Sequence, residues 1–67
     1  MKTFGEKLKE LRIEKGLSQK QLSKEVNISQ SALAYWETGE RTPNAQAIIT
    51  LARYFGVSTD YLLGLED

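Results

Sequence analysis

The sequence predicts an all-α domain of five short helices, and three observations carry that prediction. Apolar residues recur at spacings of three and four rather than alternately, the segments that hold them open on Thr, Ser or Asn, and they close on Gly or Asn. No stretch alternates apolar and polar side chains, and no hairpin turn signal joins two such stretches, so nothing in the chain favours a strand.

Thr3 and Glu6 have capping-box spacing, in which each side chain satisfies an unpaired backbone N–H at the start of a helix. Phe4, Leu8 and Leu11 follow at i, i+4 and i+7, and Gly16 accepts the left-handed conformation that ends a helix, so the first helix covers roughly residues 4–15. Ser18 and Gln21 repeat the capping signature, Leu22 and Val26 form an i, i+4 apolar pair, and Asn27 stops a short second helix. Ile28 alone separates Asn27 from Ser29, which caps a third helix carrying Leu33 and Trp36 and ending at Gly39. A turn of about three residues therefore joins helices two and three. The segment GERTP is a loop, because Pro43 disfavours helical geometry at Thr42. Asn44 caps the fourth helix, on which Ala45, Ile48, Leu51, Ala52 and Phe55 repeat before Gly56. Ser58 caps the last, with Asp60 in its first turn, where the helix dipole favours an anion, and Gly64 at its end.

Sixty-seven residues make one domain, 1–67, with a thin core. A chain of this size buries only about 60% of its unfolded surface. Neither Cys nor His is present, which removes disulfides, zinc centres and Cys/His nucleophile systems; no metal or cofactor is expected. No apolar run approaches the roughly 20 residues that span a bilayer. The N-terminal MKTFGEKLKE turns charged at once and lacks the apolar core of a signal peptide, so a cytoplasmic protein without membrane attachment is expected. Nine basic residues balance nine acidic ones, which argues against a protein that grips DNA by bulk charge. Six of the nine fall between Lys7 and Lys24, however, while Asp60, Glu66 and Asp67 make the other end acidic. Such a dipolar chain can still turn a positive face to phosphate, and charge alone is neutral on DNA binding.

The run SQKQLSKEVNISQSALAYWETGERTP resembles the Cro/CI-type (XRE) helix-turn-helix family of bacterial and phage repressors. Gln19 after the cap of helix two, Leu22, Val26, Ile28, Ser29, Leu33, Trp36-Glu37, Gly39 and Pro43 carry the match. It extends to Gly16-Leu17 before the motif and to LARYFGVSTDYLLG after it, so it covers essentially the whole chain. The resemblance implies a lambda-repressor-like five-helix domain whose helix-turn-helix, about residues 18–37, places helix three in the major groove of duplex DNA.

On the wheel of helix three, Leu33 and Trp36 point one way and Gln30, Ser31, Ala34 and Tyr35 the other. Those four are the expected base readers. Gln can pair bidentately with adenine, Ser with several base edges, and Ala can touch a thymine methyl. Ser18, Gln19, Ser29, Arg12, Arg41, Thr42 and Asn44 are expected at the DNA backbone, by resemblance and by donor chemistry. The resemblance also implies an ion pair of Arg12 with Glu37 that fixes helix three against helix one. Lys7, Lys9, Lys15, Lys20 and Lys24 read as a solvated face, with Lys9 and Lys20 near acids that can pair them. Thr59, Tyr61 and Leu62 are the expected dimer contact.

The expected function is sequence-specific transcriptional regulation, by a repressor that binds a palindromic operator as a homodimer, without a small-molecule ligand. The competing reading is a protein-interaction module, such as an antitoxin-like partner with secondary DNA binding. An interaction helix would carry large apolar groups where helix three carries Gln, Ser and Ala, which favours DNA. An enzyme is not expected, since no nucleophile–base pair or paired-carboxylate arrangement exists. Many relatives carry this domain at the front of a longer repressor, and YLLGLED is compatible with either a short complete protein or such a domain.

Overall fold

Each helix begins at a side chain that accepts a hydrogen bond from a backbone N–H two residues inside it. In the computed structural model, which describes residues 2–66, the helices are α1 (Phe4–Glu14), α2 (Gln19–Val26), α3 (Gln30–Thr38), α4 (Ala45–Phe55) and α5 (Thr59–Leu62). Thr3, Ser18, Ser29, Asn44 and Ser58 are their N-caps, and the capping boxes of Thr3 with Glu6 and Ser18 with Gln21 are both complete. Asn27, at φ 57°, ends α2 in the left-handed region, the one non-glycine residue among those described to adopt it. There is no strand among the described residues, and no helix is long and apolar enough to cross a membrane.

Two hydrogen bonds from Thr3, through its backbone N–H and its hydroxyl, hold the Glu6 carboxyl below its ordinary pKa of 4.5. A carboxyl that is more acidic folded than unfolded contributes stability above its unfolded pKa. That contribution is lost as pH falls through the folded value. The unfolding midpoint should therefore decline more steeply below pH 4.5 in the parent chain than in Glu6→Gln, whose amide oxygen still accepts from the cap. Equal slopes in an acid titration would remove Glu6 from this role.

Every helix sends one leucine to the centre. Leu8, Leu22, Leu33, Leu51 and Leu62, one from each of α1 to α5, are fully buried, and Ala52 joins them. Each such burial stabilises by about 1.5–3 kcal/mol, and no helix could bury its leucine without the others. Phe4, Leu11, Val26, Ile28, Trp36 and Phe55 pack around this centre half-buried. Helix α3 lies against both α1 and α2, while α4 and α5 pack on one another and on α2 and α1 respectively. The result measures 27 × 24 × 20 Å.

Two expectations about the core change. Ala45 is exposed and Ala47 is buried in its place, because Ala45 occupies the first position of α4, where the helix has not yet reached the core. Leu62, expected at a dimer contact, is fully buried and cannot meet a partner. Helix α5 has only four residues, too few for apolar spacing to mark its inner face. Of the other two residues in that expectation, Thr59 is exposed and Tyr61 is half-buried with the Lys7 ammonium 4.1 Å from its ring centroid. The exposed apolar groups at this end are Leu63 and Leu65. Asp67, counted with the acidic end, lies outside the described residues.

Candidate nucleic-acid interface

The turn of Asn27, Ile28 and Ser29 sets α3 across α2. Its geometry is fixed by bonds that run back to α2: the Asn27 and Ile28 N–H groups both donate to the Ser23 carbonyl, and the Ser23 hydroxyl donates to the Ile28 carbonyl. Ser29 then caps α3 by accepting from the Ala32 N–H at 3.1 Å. With Leu33 anchored in the core, the helix turns Gln30, Ser31 and Tyr35 to solvent and leaves Ala34 half-buried beside them. The first turn of α3 carries no acidic side chain that would repel phosphate.

A second set of bonds holds the C-terminal half of α3. Arg12 donates from Nε to Glu37 Oε2 at 2.7 Å and from Nη2 to Glu37 Oε1 at 2.9 Å, a bidentate pair between α1 and α3. Its Nη1 donates to the Leu17 carbonyl at 2.8 Å, and Gln19 Nε2 donates to Glu37 Oε1 at 3.1 Å. One carboxylate thus ties α1, the start of α2 and the end of α3 together. The Arg12 and Glu37 side chains are 12% and 4% exposed, so the pair is largely shielded from water. The Glu37 hydrogen bonds push the Arg12 pKa further up, against the opposing effect of burial. Three of the five guanidinium N–H donors of Arg12 are engaged in these contacts and the side chain is only 12% exposed, so the expectation that it also reaches a DNA phosphate is withdrawn.

The remaining backbone-contact candidates divide by what their side chains already do. Ser18, Ser29 and Asn44 accept cap bonds, which leaves the two hydroxyl hydrogens and the Asn44 amide hydrogens free to donate. Gln19 has its amide nitrogen on Glu37 but stands at the first position of α2, where backbone N–H groups are unpaired. Arg41 and Thr42 are exposed on the loop after α3. Ser29, Ser31, Tyr35, Arg41, Thr42 and Asn44 all border one open hollow of about 380 Å³ beside α3. The structure therefore brings loop and helix candidates to one surface.

The lysine expectations are corrected in part. Lys7 lies over Tyr61 and Lys15 over Tyr54, with nitrogen-to-centroid distances of 4.1 and 5.0 Å, so two of the five are not simply solvated. Ion pairs among the described residues join Lys2 to Glu10 and Arg12 to Glu37, and neither Lys9 nor Lys20 is paired.

Two features escaped the reading of the sequence. Gly5 is buried where α1 meets the end of α3, and a Cβ there would stand 2.2 Å from the Trp36 carbonyl oxygen. A glycine inside a helical pattern was the available signal, since helix propensity alone disfavours it. The other is the Arg41 guanidinium over the Tyr35 ring, its carbon 4.8 Å from the centroid, for which sequence spacing carries no signal.

Comparison with known proteins gives this surface a context. A family model described as helix-turn-helix matches residues 8–62. The transcriptional activator BcrR of Enterococcus faecalis is 38% identical over 64 residues, which cover 96% of this chain and 31% of BcrR. The transcriptional regulator ImmR of Bacillus subtilis (strain 168) is 35% identical over 65 residues, 97% of this chain and 51% of ImmR. The chain thus spans about a third to a half of the length of these two relatives. The P22 c2 repressor, in a crystal structure with a synthetic operator, matches with a TM-score of 0.89 at 30% identity, covering 98% of this chain and 100% of that one.

Proposed function

This chain belongs to the Cro/CI-type (XRE) helix-turn-helix family, a family of DNA-binding transcriptional regulators and not of enzymes, and from that premise we propose that it binds duplex DNA sequence-specifically and represses transcription. The observation that carries the proposal is α3 itself. One side is anchored by buried Leu33 and by Glu37 on Arg12, while the other presents Gln30, Ser31 and Tyr35 to solvent, with half-buried Ala34 beside them. A rigid helix with small and hydrogen-bonding groups on its free side meets the needs of major-groove reading. Gln30, Ser31, Ala34 and Tyr35 read base edges. Ser18, Gln19, Ser29, Arg41, Thr42 and Asn44 hold the phosphates on either side and set the register.

The protein acts as a homodimer on a two-fold symmetric operator, with half-sites about one helical turn, roughly 10 bp, apart. One copy offers too few base contacts for tight binding at physiological salt, and symmetry doubles them. Thr59, Leu63 and Leu65 are the groups near the C-terminal end that remain free for the second copy, Leu65 being 68% exposed.

Selection from a random duplex library tests the reading. The parent chain should enrich an inverted repeat, and a reporter whose promoter overlaps that repeat should fall when the protein is expressed. Gln30→Ala should lose about 1–3 kcal/mol of discrimination at one base pair per half-site and little elsewhere. Thr42→Ala should weaken binding to all sequences alike, as loss of a phosphate contact does. If the parent enriches no sequence at low salt, DNA reading fails and the protein-interaction function takes its place.

A further inference from the structure

We propose that Arg41 is a positioning residue for sequence reading: its guanidinium, lying over the Tyr35 ring, fixes that ring in the orientation that reads one base pair. The inference rests on the DNA-binding function proposed above and adds to it a coupling between a phosphate-binding side chain and a base reader.

The geometry comes from the backbone first. The Tyr35 carbonyl collects the loop that follows α3, accepting from the Glu40 N–H at 3.0 Å, the Arg41 N–H at 3.4 Å and the Thr38 hydroxyl at 3.1 Å. Gly39, left-handed at φ 84°, makes the reversal. The chain therefore returns to Tyr35 and delivers the Arg41 side chain over its ring, with the guanidinium carbon 4.8 Å from the centroid.

Tyr35 needs such a partner. The residue is 38% exposed, and the aromatic pairs among the described residues, Phe4 with Trp36 and Tyr54 with Phe55, do not include it. An exposed ring without a fixed neighbour samples several rotamers and reads no single position. Arg41 is equally uncommitted, because the ion pairs among the described residues involve neither it nor its neighbours. A guanidinium whose carbon lies over a ring can still direct N–H groups away from it, so one group can steady Tyr35 and donate to a phosphate together. Lysine, a point charge on a flexible stem, can lie over a ring, as Lys7 and Lys15 do, but has no plane to hold that ring in one orientation, so it keeps the second role and loses the first.

That difference supplies the test. Arg41→Lys would be made in the parent chain, in Tyr35→Phe and in Tyr35→Leu, with thermal unfolding confirming that each exposed-site variant folds. Affinity would be measured for the selected site and for its single-base variants across a salt series. In the parent, Arg41→Lys should leave the salt slope unchanged and lower discrimination about three- to five-fold at the one base pair that Tyr35→Leu also affects. The loss should persist in Tyr35→Phe, where the ring remains, and vanish in Tyr35→Leu, where it does not. Full discrimination in Arg41→Lys would overturn the inference, and so would an undiminished loss in the Tyr35→Leu background, which would make Arg41 a direct reader. A parent chain that selects no sequence would fail earlier, at the DNA-binding reading itself.

Discussion

Glu37→Ala is expected to destabilise the domain by about 3–5 kcal/mol, read as a shift of the urea unfolding curve followed by circular dichroism. The substitution leaves the Arg12 guanidinium charged, 12% exposed and without its bidentate partner, and it strands the Gln19 amide as well. The expected loss comes mostly from that uncompensated charge rather than from the worth of the pair. Glu37→Gln should lose less, since its amide oxygen still accepts one hydrogen bond. Replacing both residues at once, with Met at position 12 and Leu at 37, should recover much of the stability, because two apolar groups of similar volume bury without leaving an unpaired charge. DNA binding should not recover with it, for the fork that sets the angle of α3 against α1 is gone. A domain of this size holds about 3–10 kcal/mol in reserve at usual values per residue, so Glu37→Ala removes roughly a third or more of it. A shift below 1 kcal/mol would place the pair among ordinary surface ion pairs.

Gly5→Ala is the second large effect, and its sign is decided by a clash against a propensity. Alanine favours a helix over glycine by about 1 kcal/mol, which alone would stabilise α1. The new methyl would stand 2.2 Å from the Trp36 carbonyl oxygen and 2.8 Å from that of Glu37, both backbone atoms of α3 that no side-chain rotation can withdraw. Relief requires α3 to move away by about an ångström, and the expected net loss is about 2–3 kcal/mol. Because base readers must be held to within about 0.5 Å, sequence discrimination should suffer beyond what the unfolding shift explains. Gly16→Ala is the control. A Cβ there meets open space, so only the left-handed φ of 71° opposes it, for about 1 kcal/mol and no effect on DNA reading. If Gly5→Ala matches or exceeds the parent in stability, α1 and α3 separate at little cost and their close approach does not fix α3.

The helices were legible because what starts and stops them is local. Thr3 with Glu6, Ser18 with Gln21, and Asn44 all cap within three residues of themselves, and Asn27 and Gly39 need only their own φ to end a helix. The buried leucines of α1 to α4 were legible for the same reason, since a helix of eight or more residues repeats its inner face. Leu62 was not, because α5 turns only once and Tyr61, Leu62 and Leu63 compete for the inside without a repeat to separate them.

The readers Gln30, Ser31 and Tyr35 stand on the exposed side that the period of α3 assigns to them, while Ala34, on the same arc, is half-buried. Arg12 with Glu37, 25 residues apart, came from family likeness and from no local pattern. By itself, then, the sequence determined the helices, most of their inner faces and the family, because capping and periodicity act over four residues or fewer. Tertiary structure alone decided that Arg12 faces inward, that Gly5 admits α3, and that Arg41 lies on Tyr35. Each of these depends on distances between segments set by the packing of all five helices, and no spacing along the chain encodes such a distance.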